Sequence, residues 1–559
     1  MTERTKKGWN RRLALGGGAA AALGAGYLAF HKPSGNVRAV QIEAGTLHRG
    51  NGAEPESLDP ALAQGNYEDF IMADLLTGLF VSNPEGRPAP GMATDWQTSS
   101  DGLIWTFKLR EALWSDGTAV AAEDFIFSWQ RILNPGTAGP YSYFLYPIKN
   151  AQAINSGKLP MTALGVRAID PHTLEITLEH PVPYLLEVLA HMTMYPEPRH
   201  VVEAKGKDWT RPGNYVGNGA YVLAEWVPND HITLVKNPHF FDAANVAIER
   251  VIYYPTDDYS AALRRMRAGE LDVQDRAPGQ QMEWIKANLP QIINPVPQMT
   301  LEYIAINLKR APFTDKRVRE AMNMVINREV ITGKISRLGE QPAYNVIPPG
   351  TVNFPGGNAL SFKAMPYPQR LDSARTLMRE AGFGPDKRAN CTYALRSTSP
   401  GTTRSIAALL QQLFGLIYID LSIVPFDAAI FYKNVQIHNF DLAQAAWGAD
   451  FNDAETFLAL LETDNGNNYG EYSNPAFDAL LTQSRHDVDL VSRGQKLAQA
   501  EAIALADQAI CPLFFWVTTD LVWPYVKGWV ANNMDLHRTR WVSIDEAARR
   551  AQFSSTVRT

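Results

Sequence analysis

Trp105-Thr106-Phe107-Lys108-Leu109-Arg110 alternates large apolar with polar side chains, Trp114-Ser115-Asp116-Gly117-Thr118 follows as a turn, and Ala122-Glu123-Asp124-Phe125-Ile126-Phe127-Ser128-Trp129 opens a helix. The period changes from two to about 3.6 within one short stretch, which predicts a compact strand, turn and helix unit. Upstream, Leu47 begins a short strand, and Phe70, Ile71, Leu75, Leu76 and Leu79 mark one helix face. Downstream, Gly217 to Tyr221 introduces a strand, Ile232 to Val235 alternates, and Ser260 to Gly269 reads as a helix ending at a glycine. Thr314-Asp315 opens a long helix with Val318, Met322, Val325, Ile326, Ile331 and Ile335 on its apolar side. Helices at Leu371 to Ala381 and Ile406 to Phe414 then precede the strand Ile417 to Val424. The expected class is α/β. Breaks at 193 to 219 and 345 to 368 are punctuated by aromatic residues and read as ordered crossovers, not linkers.

The chain has 559 residues, 45% hydrophobic and 20% charged, enough for about three or four domains of ordinary globular composition. A formal charge of -6, with no basic run interleaved with aromatics beyond the N-terminus, argues against nucleic acid as a partner. Only Cys391 and Cys511 are present, so neither a cysteine metal site nor a disulfide framework is available; one bridge or two free thiols remain open. Residues 1 to 12 hold Arg4, Lys6, Lys7, Arg11 and Arg12, and an uncharged Gly- and Ala-rich stretch follows from Leu13 to Phe30. This pattern predicts an export signal over 1–35, and Arg11-Arg12-Leu13-Ala14-Leu15 resembles the twin-arginine type. No cysteine follows the apolar stretch, so a lipoprotein is not expected; cleavage is favoured over retention as an anchor.

Trp447-Gly448-Ala449-Asp450-Phe451-Asn452-Asp453-Ala454-Glu455 is the stretch with the clearest chemical content. Asn452 and Glu455 have the spacing of a helix N-cap and its reciprocal partner, which places Asp450 just outside a helix N-terminus. Asp450 then either ends a strand and caps the helix, or stands as a poised anion for a small cationic group. Enzyme machinery is missing from the pattern: there is no HExxH pair, no GxSxG elbow, and the glycine-rich run lies in the signal. No catalytic residue, metal or cofactor is expected.

The run Trp105-x-Phe107-x-Leu109-Arg110, Trp114-x-Asp116-Gly117, Asp124 and Ser128 resembles the signature of extracytoplasmic solute-binding proteins of the peptide class, the binding components of oligopeptide and dipeptide ABC importers. The resemblance continues through Leu174-Glu175-Ile176-Thr177-Leu178, Pro181-Val182-Pro183-Tyr184, Gly217-Asn218-Gly219-Ala220-Tyr221 and Gly269-Glu270-Leu271-Asp272. It extends through Pro312-Phe313-Thr314-Asp315-x-Arg317-Val318-Arg319-x-Ala321, the Trp447 stretch and Asn474-Pro475-Ala476-Phe477-Asp478, from about residue 45 to about residue 545. The oligopeptide-binding subfamily is the nearest in pattern.

That resemblance implies a two-lobed clamshell of the type II, three-domain variety: a discontinuous domain I at 45–76, 199–298 and 517–559, domain II at 77–198, and domain III at 299–516 as the opposing lobe. It implies that Asp450 pairs with a ligand's α-amino group, with Trp447 beside it and Tyr141 facing the cleft from domain II. Gln64, Gly65 and Asn66 fall in the loop whose backbone pairs with an extended ligand. Peptide-binding relatives carry an arginine three residues before the tryptophan, where this chain has Gln444. Glutamine can hydrogen-bond a carboxylate but cannot neutralise it. Arg396 and Arg404, flanking Ser397 to Thr403, are candidates to substitute, or are solvated surface arginines. The expected function is capture of oligopeptides or peptide-like solutes and delivery to an ABC permease, by a periplasmic monomer. Another amine-bearing solute (a murein peptide, an opine or a peptide antibiotic) is the alternative, followed by a secreted hydrolase or a chaperone.

Overall fold

In the computed structural model of the protein the described residues are 43 to 554, apart from Gln64, Pro400 and Asp450. The export signal expected over 1–35 lies outside them. The strand, turn and helix unit forms as its pattern predicts: strand Ile104–Leu109, then helix Ala122–Leu133. Asp116 Oδ1 closes the turn by accepting from the Thr118 N–H at 3.0 Å and hydroxyl at 2.7 Å. Trp114 is buried and donates its indole N–H to Asp124 Oδ2 at 3.2 Å, and the same oxygen caps the helix by accepting from Ala121 N at 2.9 Å. Ile104–Leu109 belongs to a four-stranded antiparallel sheet with Ala93–Thr98, Thr173–Thr177 and Val166–Asp170.

An eleven-stranded mixed sheet runs through the rest of the molecule. Across it in order lie Ile419–Phe426, Ala389–Arg396, Leu442–Gly448, Ile293–Ile306, Ile510–Val522, Val273–Gln274, Thr46–Gly50, Arg250–Tyr254, His231–Lys236 and Tyr221–Val227, and Gln341–Pro342 pairs against Ile510–Val522. The buried apolar side chains fall into two clusters. One gathers Leu47 to Ile292 with Leu521 to Val542, and takes in the four-stranded sheet; the other spans Met299 to Phe515. Each cluster is the core of one lobe.

Among the described residues, only the long strands Ile293–Ile306 and Ile510–Val522, antiparallel neighbours, carry the sheet from one core to the other. Their ladder is interrupted between Pro297 and Leu301, at the boundary between the cores. Pro295 and Pro297 have no N–H to give to the ladder, so pairing is weakest where the chain crosses. A two-strand crossing with a break in its register is the geometry of a hinge.

One local expectation differs from the structure. The helix capped by Asp315, whose side chain accepts from Arg317 N at 2.9 Å, ends at Val325. Asn327 then accepts from Val330 N at 3.1 Å and starts a new short helix, followed by a π-helical turn over Ile331–Ser336, so the apolar series does not lie on one long helix. Local side-chain capping by Asn competes with helix continuation. Cys391 and Cys511 are both buried free thiols on strands separated by two others.

Candidate functional site

The strand Leu442–Gly448 pairs with Ile293–Ile306 in the register Trp447↔Leu301, Ala446↔Glu302 and Gln444↔Ile304. Residues directly opposite share a face, so Gln444, Ala446 and Glu302 lie on one side of the sheet and Trp447 on the other. Trp447 is half-buried against the second core and donates its indole N–H to Thr456 Oγ1 at 3.0 Å. Asp450, two residues past the strand end, lies outside the described residues.

Immediately beyond it, Phe451 stacks on Tyr184 of the first core with centroids 4.9 Å apart and planes at 4°, and meets Phe144 edge-on at 6.4 Å. The Arg493 guanidinium lies 5.1 Å from the centre of the Tyr184 ring. Aromatic stacking thus ties the two lobes together beside the Asp450 segment.

The helix start in this segment differs from the expectation. Asn452 does not cap it: its carbonyl accepts from Val352 N at 3.0 Å and its amide donates to Asn533 Oδ1 at 3.2 Å. Asp453 caps instead, accepting from Glu455 N at 2.8 Å, ahead of the short helix Glu455–Leu458. Glu455 is no reciprocal cap, because both of its oxygens are held by arginines. Arg493 binds Asp453 at 2.6 and 2.8 Å and Glu455 at 2.9 Å, and Arg485 binds Glu455 at 2.6 Å and Glu462 at 2.6 and 2.8 Å. Paired charges satisfy one another where a single one could not stay buried.

On the other lobe, Tyr141 is half-buried and packs against His191 with centroids 5.3 Å apart. Gly65 is extended, at φ -105° and ψ 158°, and precedes the helix Asn66–Leu75, so Asn66 is its first residue and exposes one of the unpaired N–H groups of a helix start. Gln64 lies outside the described residues. The same helix sends Asp69 into an interlobe pocket of about 40 Å³ that also meets Glu187, His191, Phe451, Asn452 and Leu536. Burial raises the Asp69 carboxyl to about 6 and, reinforced by the charge of Asp453, the Glu187 carboxyl to about 8. Burial lowers His191 to about 4, so its ring is neutral at pH 7. Asp69 Oδ1 is buried with no hydrogen-bond partner. The pocket therefore gathers two carboxyls, and the unpartnered Asp69 oxygen can receive a cationic group.

The remaining candidates converge at a second place. Gln444 is buried; its carbonyl accepts from Ser399 Oγ at 3.1 Å and its amide donates to Glu302 Oε1 at 3.1 Å. Arg404 donates to the Ser399 carbonyl, and Arg396 donates to Tyr432 Oη at 3.1 Å. Neither arginine forms a salt bridge with Glu302. Sequence reading missed Glu302, although a lone carboxylate inside Leu301-Glu302-Tyr303-Ile304-Ala305-Ile306 is a visible signal. Asp69, Glu187 and Tyr184 carried no such signal, because nothing nearby in sequence marks them as neighbours of Phe451. Among the described residues, the one group near enough to share a metal ion is Asp520, Asp535 and His537, all buried. There the ring of His537 stacks on Trp529, whose indole N–H donates to Asp520 at 3.0 Å, and the set is tied internally.

A family profile described as "Bacterial extracellular solute-binding proteins, family 5 Middle" matches residues 87–469. The periplasmic oligopeptide-binding protein OppA of Salmonella typhimurium is 37% identical over 495 residues, 87% of this chain and 90% of that protein. A structure of the murein tripeptide-binding protein MppA described as its unliganded open form superposes with a TM-score of 0.84 at 35% identity, covering 90% of this chain and 98% of that one. A second structure, of MppA from Escherichia coli, has the same 35% identity but a TM-score of 0.71, covering 89% and 98%. The two-lobed α/β architecture expected from sequence is the architecture of these structures.

Proposed function

The chain belongs to the bacterial extracellular solute-binding proteins of family 5, and from that membership we propose that it is the periplasmic binding component of an ABC importer, capturing oligopeptides or peptide-like solutes between its lobes. The observation that carries this reading is the two-core fold, whose sheet crosses between the cores on Ile293–Ile306 and Ile510–Val522 and which superposes on the murein tripeptide-binding protein MppA. Ligand contacts to both lobes favour closure, and the closed form docks on the permease as a monomer. No bond is made or broken in this cycle. Domains I, II and III fall at 45–76 with 199–298 and 517–559, at 77–198, and at 299–516.

Within the cleft, Asp450 is the counter-charge for a ligand's ammonium group, with Tyr141 and the Gln64 to Asn66 loop around the ligand, while Trp447, on the other face of its strand from Gln444, packs against the second core and supports the Asp450 segment from behind. The acidic pocket of Asp69 and Glu187 beside Phe451 supports an amine at that end. Gln444 leaves the far end without the charge a free carboxylate needs, and the likeness to MppA supports murein peptides as a second reading. Native mass spectrometry of the co-purifying ligand distinguishes the two. Calorimetry on Asp450→Ala tests the anchor: unchanged affinity for peptides with a free amino terminus refutes it. Cleaved peptide after incubation would instead indicate a hydrolase.

A further inference from the structure

The three central strands of the second lobe bring together a carboxylate with too few partners. Glu302 is 4% exposed. Its Oε1 accepts from the Gln444 amide at 3.1 Å and its Oε2 from the Trp516 indole N–H at 3.2 Å. A carboxylate has about four acceptor positions. Both donors here are neutral, and among the described residues no arginine, lysine or histidine makes an ion pair with Glu302.

Each group that could have supplied a cation is committed elsewhere. Gln444 is neutral, and the Ser399 hydroxyl on its carbonyl fixes its amide toward Glu302. Arg404 is spent on the Ser399 carbonyl. Arg396 reaches Glu302 through its field, but its guanidinium is bonded to Tyr432. The remaining ionisable neighbours are the Tyr303 and Tyr393 phenols, both pushed up by burial and by the Glu302 charge itself, and neither can be a cation. Burial raises the Glu302 carboxyl to about 7, as expected for a charge left uncompensated.

One side of the position carries small and exposed neighbours. Glu302, Gln444 and Ala446 share a face with Phe514, and Trp516, two residues further along the same strand, lies on it too. On that face Ala446 and Gly448 are exposed and Trp516 is 44% exposed, directly beside the break in the ladder where the strands cross between lobes. Small side chains leave room over the carboxylate, and an exposed indole whose N–H already points at Glu302 offers its ring to a cation.

We propose that Glu302, presented between Gln444 and Trp516 on the floor of the cleft, determines specificity by receiving a basic side chain of the ligand, lysine or arginine, and by turning away a ligand carboxylate. This rests on the reading of the chain as a peptide-binding protein. A Glu302 that merely tied three strands together would affect folding but would not distinguish ligand charges.

The test is a positional scan by calorimetry with tetra-alanine peptides carrying a single Lys or a single Glu at each position. At one position wild type should bind the Lys peptide more tightly than the Glu peptide by at least about tenfold, the scale of one charge-assisted contact. In Glu302→Gln that ratio should collapse to within about threefold. Gln444→Arg, which places an internal cation against Glu302, should collapse or invert it, and provides the comparison if Glu302→Gln does not fold. A wild-type protein that binds peptides without charge preference, or a preference that survives both substitutions, overturns the assignment. A wild-type protein that binds none of the peptides overturns the peptide reading, and this inference with it.

Discussion

Replacing Arg493 with methionine should destabilise the second lobe by about 3 to 4 kcal/mol. The guanidinium is 1% exposed and spans Asp453, itself 1% exposed, with contacts at 2.6 and 2.8 Å. It also reaches Glu455 at 2.9 Å, but Glu455 retains Arg485 at 2.6 Å after the substitution. Only Asp453 loses its sole counter-charge, and methionine refills most of the volume of the arginine stem. The cost is therefore placed near the lower end of the roughly 3 to 5 kcal/mol typical of a broken buried pair, with a fraction of a kcal/mol added for the lost contact to Tyr184. Urea unfolding followed by tryptophan fluorescence measures it, and a double-mutant cycle isolates the pair. Adding Asp453→Asn to Arg493→Met should recover on the order of 2 kcal/mol, because no buried charge is then left alone. If Arg493→Met lies within about 1 kcal/mol of wild type, or the second substitution recovers nothing, the pair is solvated and the reasoning fails.

Phe451→Ala removes the stack on Tyr184, worth about 0.5 to 1.5 kcal/mol beyond burial, so the unliganded protein should show a larger radius of gyration by small-angle X-ray scattering; identical curves would reject the tie between lobes. Glu187 has a folded pKa raised by burial from 4.5 to about 8, so its contribution to stability is fully present below 4.5 and is lost as pH rises through about 8. Glu187→Gln should therefore match wild type in melting temperature near pH 4.5 and exceed it by a few degrees near pH 8.5, and parallel curves would refute the raised value. Burial pushes the Cys391 and Cys511 thiols up to about 12, so both should react with a thiol reagent only after denaturation, and the intact mass should carry two labels without prior reduction.

Much of the framework is readable from residue order. Asp116 and Gly117 announce a turn, Asp258 caps Tyr259–Arg267, Asn474 caps Pro475–Arg485, and apolar period separates strands from helices. Errors fall where a polar side chain had two possible local partners. Asn452 had the spacing of a cap, yet bonds residues 100 and 81 positions away, and Asp453 takes the cap. Asn327 ended a helix that the apolar series alone would have continued. Gln444 could be recognised as an unusual residue for its place, while the reason lay 142 positions earlier in Glu302.

By itself, then, sequence determined the alternation of strands and helices, since periodicity and capping act over a few residues. Tertiary structure alone decided that the ladder of the two crossing strands breaks after Pro297, that Trp447 and Gln444 lie on opposite faces, and that among the described residues no cation pairs with Glu302. Those outcomes depend on burial and on charges brought together from distant segments, and burial is a property of the assembled chain.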